Sequence, residues 1–159
     1  MRGPLEIFYG MDNNDGIERC IQNCEPLFRS ARKSIRIVSG ALNNKFYDDS
    51  RIINALKKAI ENRVSIEIIS GPEIDKESKE ILELYEKGEV SIMQLEESPK
   101  LHFTVIDEKS VKLEDFHSSY ETPSHARYER KGIVLPKLLL HDYTELKRQA
   151  KPLPKGKAA

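Results

Sequence analysis

A chain of 159 residues is long enough for one domain with a substantial core, because a domain of that size buries roughly two thirds of the surface its unfolded form exposes. Its 26 Lys and Arg residues offset 26 Asp and Glu, which excludes the strong positive excess of a dedicated nucleic-acid binder. No apolar run is long enough to cross a membrane and Met1-Arg2-Gly3-Pro4 opens no signal-peptide core, so a cytoplasmic protein is expected.

Leu5 to Tyr9 alternates in the manner of a strand, and Asp15 offers an N-cap to a helix that starts near Gly16 and runs toward Arg32. Pro26 interrupts that helix and predicts a kink or a junction, with Leu27, Phe28 and Ala31 continuing the buried face. Cys20 and Cys24 fall on one helical face with no His or further Cys beside them, so they read as buried or half-buried free thiols, and neither a metal nor a cofactor is expected. Ser34 to Ser39 is a strong strand, followed by a polar loop from Gly40 to Asp49. Ser50 then caps an amphipathic helix that buries Ile52, Ile53, Leu56, Ala59 and Ile60 and ends near Asn62.

Val64 to Ser70 reads as the next strand, broken by Gly71-Pro72, and Asp75 opens a helix that runs to Lys87 and is stopped by Gly88. Val90 to Leu95, Leu101 to Ile106 and Ser110 to Glu114 are three further strands, the last two joined through Asp107-Glu108-Lys109 as a hairpin. Tyr128 to Leu135 returns as a strand, and Pro136 suits the first turn of a last helix that buries Leu138, Leu139, Tyr143 and Leu146. The expected organisation is one domain over residues 1–150 and a basic, disordered tail over 151–159. Strands alternating with helices predict an α/β fold, a layered sandwich whose mixed sheet is flanked by helices on both faces. The abundance of Lys, Glu and Ile without Trp is compatible with a thermophilic source.

The stretch Lys100-Leu101-His102-Phe103-Thr104-Val105-Ile106-Asp107, followed by Glu114-Asp115-Phe116-His117, carries the most specific signal. Together with the order of elements from Leu5 to Leu153, it resembles the phospholipase D-like (HKD phosphodiesterase) superfamily. Active members of that family share a His-x-Lys pair, an Asp five residues after the Lys, and a downstream Gly-Ser-x-Asn segment. Aligning Asp107 with the family Asp puts Lys100 at the position of the nucleophilic His and His102 at that of the Lys. Glu114, Asp115 and His117 then fall where Gly, Ser and Asn are expected. The alternative register makes His102 the nucleophile but loses both the Lys and the Asp, and is the poorer match.

In the family, one His attacks phosphorus, a second His from a pseudo-twofold partner protonates the leaving oxygen, and the Lys pair stabilises phosphoryl charge. Residues two apart on a strand have Cα atoms about 6.5 to 7 Å apart, so exchanging amine and imidazole moves the nucleophile much further than a reaction tolerates. The resemblance therefore implies a degenerate site, with Lys100, His102, Asp107, Glu114 and His117 as candidate ligand-binding residues and His102 and His117 as the candidates if chemistry survives. Glu114 and Asp115 could instead pair with Lys100 or Lys112 as a structural ion-pair cluster. His125 and His141 read as a loop and an exposed helix histidine. The family site uses two motif copies and this chain has one, so the resemblance implies a homodimer. It also implies a binding or regulatory module for a phosphate-containing ligand or nucleic acid, with a homodimeric phosphodiesterase or nuclease as the alternative.

Overall fold

The computed structural model describes residues 6–11, 16–114 and 125–155. Its strands are β1 (Glu6–Met11), β2 (Ser34–Leu42), β3 (Ser65–Ile74), β4 (Ser91–Gln94), β5 (Phe103–Ile106), β6 (Ser110–Glu114), β7 (His125–Arg130) and β8 (Lys151–Pro152). Its helices are α1 (Gly16–Ser30), α2 (Asn44–Tyr47), α3 (Ser50–Glu61), α4 (Lys79–Glu86) and α5 (Val134–Gln149). All the strands join one mixed sheet in the order β1-β7-β6-β5-β2-β3-β4-β8. β2, β3 and β4 run parallel, and every other pairing is antiparallel.

Alternation along the strands splits the apolar side chains between two layers. Ile35, Ile37, Ile66, Ile68, Ile92 and Ile106 pack with Phe28, Leu56 and Ile81 of α1, α3 and α4 on one face. Val38, Ile69, Phe103, Val105 and Val111 pack with Leu139 and Tyr143 of α5 on the other. This is the expected layered α/β sandwich.

Several local expectations change. α1 runs as one helix through Pro26, which removes a single N–H from the ladder while Leu27 and Phe28 beyond it remain almost wholly buried. The expected loop after Ser39 is more strand followed by the short α2, because β2 and β3 both continue and shift register between Ser39 and Ala41. Gly71-Pro72 does not break β3. A Cβ on Gly71 would lie 2.2 Å from the Gly40 carbonyl oxygen, so this glycine permits the two strands to approach where they shift. Asp49, rather than Ser50, caps α3 by accepting from the Arg51 N–H. Asp75 instead closes a turn by accepting from the Glu77 N–H, and α4 begins four residues later.

Leu138 lies on the open side of α5 and is 59% exposed, whereas Leu139 and Tyr143 are its buried contacts. The tail expected to be disordered places Lys151 and Pro152 against β4 as β8, and Leu153 donates its N–H to the Ile92 carbonyl. The Tyr85 hydroxyl donates to the Leu153 carbonyl. Backbone pairing at a sheet edge asks little of side-chain composition, so a Lys- and Pro-rich sequence concealed it.

Candidate functional site

The β5–β6 hairpin sets the site's register. Asp107 and Glu108 take φ of 54° and 61°, and Lys109 donates its N–H to the Ile106 carbonyl, which is the left-handed geometry of a tight hairpin turn. Thr104 consequently lies opposite Lys112, and Glu114 donates its N–H to the His102 carbonyl, so these side chains share the face turned toward α1.

On that face four side chains form a chain of contacts. His102, 6% exposed, holds Nδ1 3.3 Å from Oε2 of Glu114 and Nε2 3.2 Å from the Pro99 carbonyl oxygen. Lys112, 5% exposed, donates from Nζ to Oε1 of Glu114 at 2.9 Å and to Sγ of Cys20 at 2.7 Å. The Cys20 sulfur lies 3.9 Å from that of Cys24, which is buried one turn further along α1.

Burial disfavours the Lys112 ammonium, yet the negative potential from Cys20, Glu114 and Cys24 outweighs it and holds the group well above the ordinary lysine range. The Cys24 thiol is also pushed up, held protonated by its hydrogen bond with Cys20 and by burial. Burial also raises the Tyr47 hydroxyl, which feels Glu114, Lys112 and Cys20 and so belongs to the same neighbourhood.

Both ring nitrogens of His102 are turned toward acceptors, a carboxylate and a carbonyl. A ring nitrogen engaged by an acceptor within the protein is not presented to a phosphorus atom. The cluster suits charge storage better than nucleophilic attack through nitrogen. Among the described residues no group of three His, Cys, Asp or Glu side chains could hold a metal ion.

The candidates read from sequence separate in space. His102 and Glu114 are together, and Lys112 is the partner that Glu114 takes. Lys100 is exposed. Asp107 sits at the far end of β5, about 17 Å from His102 by strand rise, where its carboxylate accepts from the backbone N–H groups of Arg32, Lys33 and Ser34 at 2.6 to 3.0 Å. Asp107 thereby ties the hairpin turn to the start of β2, leaving its oxygens committed to the backbone. Asp115 and His117 lie outside the described residues, and His141 is exposed on α5.

Cys20 is the member that sequence reasoning missed. Lys112 and Glu114 could be placed beside His102 by counting outward from the hairpin turn, whereas Cys20 arrives from a helix 92 residues away in the chain.

Comparison with known proteins places this arrangement on an established scaffold. Neither a protein-family model nor a curated protein sequence matches the chain. Among solved structures it is similar to Nuc from Salmonella typhimurium, described as a phospholipase D family member, with TM-score 0.71 and 14% identity over 96% of this chain and 99% of that one. NucT from Helicobacter pylori matches with TM-score 0.66 and 13% identity over 94% of this chain and 100% of the other. The archaeal chromatin protein TrmBL2, whose structure is described as showing a novel mode of DNA binding, matches with TM-score 0.69 and 13% identity. That match covers 93% of this chain but only 55% of TrmBL2. The fold is phospholipase D-like. Among the described residues no helix is long and apolar enough to cross a membrane.

Proposed function

We propose that this domain is a binding module on a phospholipase D-like scaffold, one that recognises nucleic acid through its phosphates and does not hydrolyse them. The observation that carries the reading is the setting of His102: buried, with acceptors at both ring nitrogens, immediately before β5. The cation beside it, Lys112, already donates to Glu114 and to the Cys20 sulfur. A reacting phosphate needs an unengaged imidazole with a cation beside it free to take phosphoryl charge, whereas His102 and Lys112 both already hold partners within the protein.

Nucleic acid is the ligand class we favour because a DNA-binding chromatin protein shares the fold. Exposed Lys100 stands at the entrance to β5 as a candidate phosphate contact. The motif occurs once in the chain, so a homodimer that brings two copies together is part of the proposal.

Fluorescence anisotropy with labelled single- and double-stranded oligonucleotides tests it directly. The reading predicts saturable binding that weakens as salt rises, a several-fold loss in Lys100→Ala, and intact oligonucleotide on a gel afterwards. Absence of binding at low salt for both oligonucleotides would overturn it. Cleaved oligonucleotide that stays intact with His102→Ala would instead establish the phosphodiesterase alternative.

A further inference from the structure

The candidate site contains a nucleophile that phosphodiester chemistry does not use. Cys20 is half-buried, and its sulfur receives the Lys112 ammonium at 2.7 Å. An ammonium at that distance favours thiolate over thiol, because the charged sulfur gains both attraction and a hydrogen bond. Glu114 holds the ammonium in place from the other side at 2.9 Å. One turn along the helix, Cys24 presents a second sulfur 3.9 Å away. Positions four apart on a helix have Cα atoms about 6 Å apart, a separation that disulfides span. Closing the sulfurs to about 2.05 Å needs side-chain rotation rather than a new backbone path.

We propose that Cys20 is an activated thiolate, and that hydrogen peroxide converts the Cys20–Cys24 pair into a disulfide within α1. In the first step the Cys20 sulfur attacks a peroxide oxygen, the S–O bond forms as the O–O bond breaks, and the departing hydroxide takes a proton from Lys112 to leave as water. In the second step the Cys24 sulfur attacks the Cys20 sulfenic acid. The S–S bond forms as the S–O bond breaks, and the released hydroxide combines with the Cys24 proton to give a second water, while Lys112 regains a proton from solvent. Two thiols and one peroxide thus yield one disulfide and two waters. The order of events follows from environment: Cys20 has the cation, while burial and its hydrogen bond with Cys20 keep the Cys24 proton in place.

Among the described residues, the titratable groups around Cys20 are Cys24 on its own helix, Lys112 and Glu114 on β6, His102 just before β5, Tyr47 on α2 and Tyr128 on β7. From α3, Arg51 engages Glu18 near the start of the same helix. Mass spectrometry of the full chain after iodoacetamide and, separately, after hydrogen peroxide reads the outcome. At pH 7, Cys20 should alkylate at least about tenfold faster than Cys24, and peroxide should give a dithiothreitol-reversible Cys20–Cys24 link. Cys24→Ser should stop the reaction at a Cys20 sulfenic acid trapped by dimedone. Lys112→Met should slow Cys20 alkylation at pH 7 and move its pH profile upward, and Lys112→Arg should restore it. If Lys112→Met does not fold, the arginine and Cys24→Ser variants still decide the matter. Alkylation of Cys20 with the rate and pH profile of an unperturbed thiol, or peroxide treatment that yields no Cys20–Cys24 disulfide, would overturn the proposal.

Discussion

Asp107 carries more of the architecture than its position on a turn suggests. Its carboxylate serves three consecutive backbone N–H groups, from Arg32, Lys33 and Ser34, and its own backbone takes the left-handed conformation that Asp and Asn tolerate best. Replacing it with Ala leaves three donors without their acceptor and adds backbone strain, so Asp107→Ala should destabilise the fold by roughly 2 to 4 kcal/mol in urea unfolding. Asp107→Asn keeps one acceptor and the tolerated backbone, and should cost about half as much. An alanine variant within about 0.5 kcal/mol of wild type would contradict the anchoring role. Sequence alone showed that an acid belonged at this position of the motif. It did not show that the acid's partners are main-chain groups 75 residues away, because backbone donors leave no trace in residue identity.

Between elements, α5 is tied to the sheet by chemistry as well as by packing. Glu67 on β3 accepts from the Tyr143 hydroxyl at 2.9 Å and from the Lys147 ammonium at 2.8 Å. Burial acts to raise the Glu67 pKa, but those two donors outweigh it and hold the carboxyl below its ordinary range. A depressed carboxyl pKa stabilises the fold above the unfolded value, near 4.3, and that contribution disappears as pH falls through the folded value. Thermal unfolding from pH 7 down to about pH 3.5 should therefore lose more stability in wild type than in Glu67→Gln. Parallel slopes for the two proteins would contradict the tie.

The leucine run on the same helix separates packing from exposure. Leu139→Ala should cost about 2 to 4 kcal/mol, while Leu138→Gln should change stability by less than about 0.5 kcal/mol. Leu138 and Leu139 both read as buried, because a short apolar stretch fixes neither the helix phase nor which side meets the sheet. The β2–β3 extension was concealed differently. Gly71-Pro72 is a breaker in isolation, and only the approach of the Gly40 carbonyl shows why a glycine lets the strands continue.

Across the whole molecule, the alternation of elements was enough to predict a mixed sheet between helical layers, since periodicity records which face each segment buries. The site was less legible. Hairpin counting brings His102, Lys112 and Glu114 together, but the direction each nitrogen faces depends on the Pro99 carbonyl and on Cys20, both set by tertiary packing. The proposed binding role rests on that orientation. The direct measurement is a rapid-quench experiment with a phosphodiester bearing a good leaving group, at protein concentrations high enough to see one turnover. The expected result is leaving-group release indistinguishable from the buffer rate and unchanged by His102→Ala. A burst of leaving group equal to the protein concentration, lost in His102→Ala, would contradict the proposed binding role.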